Sequence, residues 1–165
     1  MGFTTGYQVG IGEVPCHLYA KTFESPKFYS LLLSADLCNK DGVSIRQATK
    51  ELLNRSEKTK LLIVISDGLP SAYTFESANA GEGNCLYWYE NNQLKIGYGV
   101  RDTAQAVREA EKKGIAVVGI HIGEFNSEYY TIYRVMYPQF IHLEDASYLP
   151  NMLGKVVKQA LDRHG

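Results

Sequence analysis

Lys60-Leu61-Leu62-Ile63-Val64-Ile65-Ser66-Asp67-Gly68-Leu69-Pro70 is the stretch on which the fold of this chain turns. A continuous apolar run with β-branched members is the pattern of a strand covered by helices on both faces, not of one with a wet side. The run stops abruptly at Ser66-Asp67-Gly68, and Asp followed by Gly marks the passage from strand to loop. Downstream, Arg101 to Lys113 reads as a helix. Asp102 and Gln105 stand at capping-box spacing, Ala104, Val107 and Ala110 form an apolar stripe, and Gly114 ends it. Ile115 to Ile122 then gives a second buried strand. A helix near Ser127 to Met136, a short strand around Phe140 to Leu143 and a closing helix from about Ser147 to Asp162 follow. The closing helix carries Leu149, Met152, Leu153, Val156, Val157, Ala160 and Leu161 on a packing face.

Upstream, Val43, Ile45, Ala48, Leu52 and Leu53 recur near a 3.6 period after Cys38-Asn39-Lys40-Asp41-Gly42, which predicts an amphipathic helix of about three turns. Tyr7 to Val14 and His17 to Phe23 read as two strands joined at Val14-Pro15, a plausible hairpin. Strands alternating with helices predict an α/β fold, a doubly wound, mostly parallel sheet with helices on both faces. In such sheets the functional crevice lies beyond the carboxyl ends of the strands, where Ser66-Asp67-Gly68 sits.

The 165 residues predict a single domain spanning 1–165, and no repeat or low-complexity block divides it. Seventeen Lys and Arg against eighteen Asp and Glu give a net charge of -1, so there is no basic field to draw the domain to nucleic acid or an anionic membrane. The longest apolar runs fall far short of the roughly 20 residues that cross a bilayer. No basic patch followed by an apolar stretch opens the chain, so it reads as cytoplasmic. Cys16, Cys38 and Cys85 fit neither a disulfide framework nor a CxxC pair. His17, His121, His142 and His164 lack the spacing of a zinc site. There is no Gly-x4-Gly-Lys-Ser/Thr loop for nucleotide and no Gly-x-Ser-x-Gly elbow.

Two carboxylates occupy privileged places: Asp41 immediately before a helix and Asp67 immediately after a buried strand. Each has a structural explanation, Asp41 as a helix N-cap and Asp67 as a turn former. Together, with the Ser66 hydroxyl nearby, they make a hard oxygen site of the kind that suits Mg²⁺ or Mn²⁺. Asp102 is most simply a helix cap.

Asn39-Lys-Asp41-Gly42, Leu61 to Pro70, Gly97-Tyr-Gly-Val-Arg-Asp102-Thr103, Gly114 to Ile120 and Tyr148-Leu149-Pro150, in this order and spacing, resemble von Willebrand factor A (vWA) domains. Within them the chain is most similar to the bacterial branch found in cobaltochelatase CobT-type subunits and nitric oxide reductase activation proteins. The resemblance implies a vWA/Rossmann-like fold with a metal-ion-dependent adhesion site built from three loops. It puts Asp41 on the second loop, where many members use Thr, and Asp67 on the third. The first-loop motif Asp-x-Ser-x-Ser does not occur. The expectation is therefore an N-terminally truncated domain, without the family's first central strand and helix. Mg²⁺ or Mn²⁺ would then bind weakly, because Mg²⁺ gives up its water reluctantly and few protein ligands remain. An exposed strand edge would also be open to self-association or to a strand from another chain.

Residues 71–100 form a connection much longer than the usual 4 to 6 or so. Cys85-Leu-Tyr87-Trp88-Tyr89-Glu, then Asn91-Asn92, then Gln93-Leu-Lys-Ile-Gly-Tyr predicts an inserted β-hairpin. Tyr73, Phe75, Tyr87, Trp88 and Tyr89 are candidates for a partner-binding patch, since Tyr and Trp concentrate in hot spots. Their alternative is packing on the domain itself, as is also expected of Tyr129, Tyr130, Tyr133 and Tyr137 at helical spacing. The leading expectation is a non-catalytic protein-interaction domain with Asp41, Asp67 and Ser66 as metal residues. The resemblance implies a MoxR-type AAA+ ATPase as partner. The alternative is a fragment of a cobalt- or magnesium-chelatase-like metal-insertion complex. A phosphotransfer enzyme with Asp67 as nucleophile is disfavoured, since Leu69 and Pro70 follow where phosphate-holding groups belong.

Overall fold

The computed structural model describes residues 2–8, 12–18, 23, 40–66, 68–70 and 87–164. Among the described residues, seven strands and four helices follow in the order β1 (Gly2–Gln8), β2 (Gly12–Leu18), α1 (Asp41–Leu53), β3 (Lys60–Ser66), β4 (Tyr87–Glu90), β5 (Gln93–Ile96), α2 (Tyr98–Lys112), β6 (Ile115–Ile122), α3 (Ser127–Met136), β7 (Phe140–Leu143) and α4 (Leu149–His164), with a 3₁₀ turn at Ala146–Tyr148. Strands β3, β6 and β7 form a parallel sheet in that spatial order, and β1–β2 and β4–β5 are antiparallel hairpins. Among the described residues β3 pairs only with β6, from Lys60↔Ile115 to Ser66↔His121. The fold is thus α/β, with a parallel sheet flanked by helices and an antiparallel hairpin inserted after β3.

Alternation along the strands sends side chains to two cores. One holds Val64, Ile115 and Val117 under Ile45 of α1, Val100, Ala106, Val107 and Ala110 of α2, and Ile132, Tyr133 and Met136 of α3. The other holds Val118, Ile120 and Leu143 under Val156, with Leu149, Met152 and Leu153 of α4 alongside. The apolar run of β3 is therefore divided between both faces, as a strand sandwiched between helices requires.

Three local readings shift. The first pair of strands does not part at Val14-Pro15: Gln8 pairs with Gly12, and Pro15 lies inside β2 opposite Thr5. A two-stranded ribbon consists of edge strands, where the missing N–H of proline is tolerated. Helix α2 begins at Tyr98, with Gly97 as N-cap in extended conformation, so Asp102 sits inside the helix and is not its cap. Helix α1 begins at Asp41 itself, with Lys40 in the N-cap position and no side-chain capping bond, so Asp41 does not cap either. The second hairpin turns at Asn91 and Asn92, with φ of 51° and 60°. Asn tolerates this left-handed conformation, and two such residues make the tight turn matched to strand twist.

Candidate functional site

The carboxyl ends of the parallel strands define the edge at which a site can form. Helix α2 is joined to β6 by the short turn through Gly114, whose φ of 80° needs no side chain in the way, so the amino end of α2 lies at that edge. Helix α1 lies along α2, and its first turn is pressed tightly against it. A Cβ on Gly42 would fall 2.0 Å from Oδ2 of Asp102 and 3.0 Å from its backbone carbon. Arg46 locks the pair by an ion pair of 2.8 Å to Asp102 and one of 3.0 Å to Glu109. Asp41 is thereby carried to the same edge as Ser66.

Asp41 is buried, 2% exposed, and its Oδ1 has no hydrogen-bond partner among the described residues. The close approach of Gly42 to α2 draws it in. Burial without a compensating partner disfavours the charged form and pushes its pKa up from 3.8 to about 7. The phenol of Tyr137 is within electrostatic reach. Its own ionisation is pushed up, first by burial and then by the charge of Asp41, and its hydroxyl is also unpartnered. An ionised carboxylate oxygen that finds no donor in a dry site is the kind of group a hard cation satisfies.

Ser66 ends β3. Its Oγ donates to the Gly68 carbonyl at 2.7 Å and accepts from the Gly68 N–H at 3.2 Å. A hydroxyl has two lone pairs, so one remains for a cation. Asp67 lies outside the described residues, and so does Tyr73. Among the described residues, no group of three or more His, Cys, Asp or Glu side chains is arranged to hold a metal. The donors that can be described, one orphaned carboxylate oxygen and one hydroxyl, fit a hard divalent ion as a partial shell.

Two histidines escaped the sequence reading because their spacing resembles no motif. Ser66, His121 and His142 stand in one row across β3, β6 and β7. His121 is 1% exposed. His142 hydrogen-bonds the Gly123 carbonyl through Nε2 at 2.8 Å, and its ring stacks on Phe125 at 4.4 Å. Beside them a cleft of about 460 Å³ opens between Gly123, Glu124, Phe125, His142 and Glu144. The signal was available only in register: each histidine is the next-to-last residue of its strand, on the side-chain parity of Ser66.

The inserted hairpin lies along α3. The Tyr87 ring meets Tyr129 edge-on at 6.5 Å, and the Tyr89 hydroxyl hydrogen-bonds the carboxylate of Glu128. Arg101 anchors the other strand by donating to the Ile96 carbonyl at 2.6 Å. Tyr87 and Trp88 are half-buried, whereas Tyr89 remains 58% exposed. Of the four aromatic residues near α3, Tyr133 and Tyr137 are core, Tyr129 is half-buried and Tyr130 is exposed.

This is a doubly wound α/β domain with a buried carboxylate at the carboxyl edge of its sheet and an aromatic hairpin beside it. Residues 30–87 match the family described as the cobalamin biosynthesis protein CobT VWA domain. The chain is 36% identical over 128 residues to the uncharacterized protein YojO of Bacillus subtilis, covering 76% of this chain and 17% of that protein. It is 36% identical over 88 residues to protein NorD of Stutzerimonas stutzeri, covering 53% and 11% respectively. The chain is a vWA-type domain of the CobT and NorD branch. It spans less than a fifth of these curated relatives, 17% and 11% of their lengths. The pilus adhesin SpaC of Lactobacillus rhamnosus GG shares the fold, with a TM-score of 0.52 at 13% identity over 93% of this chain and 23% of that one. No described helix is long and apolar enough to cross a membrane.

Proposed function

We propose that the domain is a non-catalytic protein-interaction module that docks through the carboxyl edge of its sheet, using a divalent ion held by Asp41, Asp67 and Ser66. The observation that carries the reading is the buried Asp41 carboxyl, at the carboxyl edge of the sheet, with an oxygen that has no partner among the described residues. Mg²⁺ or Mn²⁺ there would supply positive charge and an open coordination position, completed by an acidic side chain of the partner. Asp41 serves as one ligand, and Ser66 contributes its remaining lone pair. The partner we favour is a MoxR-type AAA+ ATPase, with the chain working as its adaptor in the cytoplasm. The hairpin residues Tyr87, Trp88 and Tyr89, with Tyr73, extend the contact.

Thermal melts with and without millimolar Mn²⁺ test the site, because a ligand of the folded state raises stability by mass action. A rise in wild type that disappears in both Asp41→Ala and Asp67→Ala supports the reading. Equal shifts in all three proteins, or no shift in any, overturn it. A second reading, a subunit of a chelatase-like metal-insertion complex, is favoured by the match to the CobT description. Co-purification with tetrapyrrole-dependent ATPase activity, instead of with an ATPase acting on a protein client, separates the two.

A further inference from the structure

We infer that Tyr133, on α3, is the positioning residue for the loop that leaves β3, and so sets the geometry of the proposed ion site. The inference rests on the reading of Asp41, Asp67 and Ser66 given above. Tyr133 is 65 positions from Gly68 in sequence, yet its phenol hydroxyl donates a short hydrogen bond to the Gly68 carbonyl. The same carbonyl accepts from Ser66 Oγ at 2.7 Å, so both of its lone pairs are occupied. The Gly68 N–H is bonded in turn to Ser66 Oγ. Ser66 is fixed by its place opposite His121 in the sheet. The residues on either side of position 67 are therefore both tied down, one by the strand and the other by a side chain from a different layer.

The phenol is well suited to this work because it cannot turn away. Tyr133 is 1% exposed. Its ring meets His121 at 4.9 Å, Phe125 and Phe140 at 5.6 Å each, and Tyr137 at 6.2 Å. A hydrogen bond from a side chain already held by packing orders little that was free, so the bond is rigid as well as favourable. A buried hydroxyl needs an acceptor, but any nearby carbonyl would satisfy it. Here the acceptor is the same backbone carbonyl that Ser66 already holds. An ion site needs its ligands held to within a fraction of an ångström, which is what such support provides.

The test compares wild type, Tyr133→Phe, Tyr137→Phe and Asp67→Ala in the full chain. Amide hydrogen exchange at Gly68 and Leu69 and the Mn²⁺ dissociation constant are the readouts. Tyr137→Phe controls for the loss of a buried hydroxyl, because that hydroxyl makes no bond to Gly68. The expected result is that Tyr133→Phe speeds exchange at Gly68 and Leu69 about tenfold and weakens Mn²⁺ about tenfold, while exchange in β6 is unchanged. Tyr137→Phe should leave exchange at Gly68 and Leu69 as in wild type. Loop exchange in Tyr133→Phe equal to wild type overturns the inference, and so does faster exchange with an unaltered Mn²⁺ constant. If wild type and Asp67→Ala both ignore Mn²⁺, the ion reading fails by itself; the role of Tyr133 in holding the loop is then decided by exchange alone, supported by acceleration and overturned by its absence.

Discussion

The two faces of the parallel sheet are made of the same strands but of different chemistry. Under α4 the face is aliphatic from end to end: Leu61 and Ile63 from β3, Val118, Ile120 and Ile122 from β6, Ile141 and Leu143 from β7. Under α1, α2 and α3 it begins aliphatic with Leu62, Val64, Ile115 and Val117, then changes at the carboxyl edge to Ser66, His121 and His142, with Asp41 and Tyr137 buried close by. Buried polar groups cost stability unless they are bonded, so a sheet that had only to fold would carry aliphatic residues on both faces. The difference assigns stability to the α4 face and function to the polar end of the other.

The sharpest break in that comparison is the titration of Asp41. In the unfolded chain its carboxyl ionises near 3.8, in the folded one near 7. Folding therefore favours the protonated form: the contribution is fully present below about pH 4 and is lost as pH rises through about 7. Full ionisation should remove roughly 4 kcal/mol from the metal-free protein. Glu57, Glu109, Glu128 and Asp145, all held below their ordinary values, work in the opposite direction as pH falls. Subtracting the urea-unfolding curves of Asp41→Asn from those of wild type between pH 4.5 and 8 isolates the buried carboxyl. A flat difference would mean that Asp41 is hydrated or paired, and would remove the polar end of the face as a special place.

On the aliphatic face, Ile120→Ala deletes a fully buried side chain and should cost about 3 kcal/mol. Urea unfolding measures it. The Mn²⁺ response, where wild type has one, should stay as in wild type, because the cavity opens on the side away from Ser66. A changed response would show that the two faces are not separable. A smaller effect, about 2 kcal/mol, is expected for Gly119→Ala. An added Cβ there would fall 2.5 Å from the Tyr137 ring, in the layer that supports Tyr133. If strain passes from Tyr137 to Tyr133, this substitution should also loosen Gly68 in hydrogen exchange, which Ile120→Ala should not.

Much of the aliphatic side was legible in the sequence, because hydrophobic period reports directly on burial. The strand Lys60–Ser66, the helix Ser127–Met136 and most of the α4 stripe stand where the pattern puts them, but Ile65 and Val157, 42% and 43% exposed, lie open where the pattern predicts burial. The carboxyl edge was legible only as far as local motifs reach. Asp41 was found from its place before a helix, but its burial was not, because that follows from Gly42 pressing against Asp102, a contact between residues far apart in sequence. Asp102 was misread for the same reason: its capping-box spacing is a local signal, and the Arg46 ion pair that uses it is a tertiary one. His121, His142 and Tyr133 carry no motif, and their roles appear only when three strands are set in register.

The smallest expected effect concerns the outer surface of the hairpin, whose Tyr87, Leu94 and Ile96 pack inward against the core under α1, α2 and α3. Tyr89 is exposed, yet its hydroxyl bonds Glu128, whose carboxyl is held below the ordinary range first by its own backbone, then by Ser127 and last by Tyr89. Removing the least of three contributions should let the Glu128 pKa rise only slightly, and a bond so open to water should leave the melt unchanged. Tyr89→Phe is therefore a clean probe of the outer surface, since it keeps the ring and disturbs nothing beneath it. Carboxyl NMR titration checks the first expectation and thermal unfolding the second. If Tyr89 serves the domain alone, binding of a MoxR-type ATPase should be equal in wild type and Tyr89→Phe. If the phenol belongs to the docking surface, binding weakens while the melt holds, and the hairpin joins the carboxyl edge as a second contact.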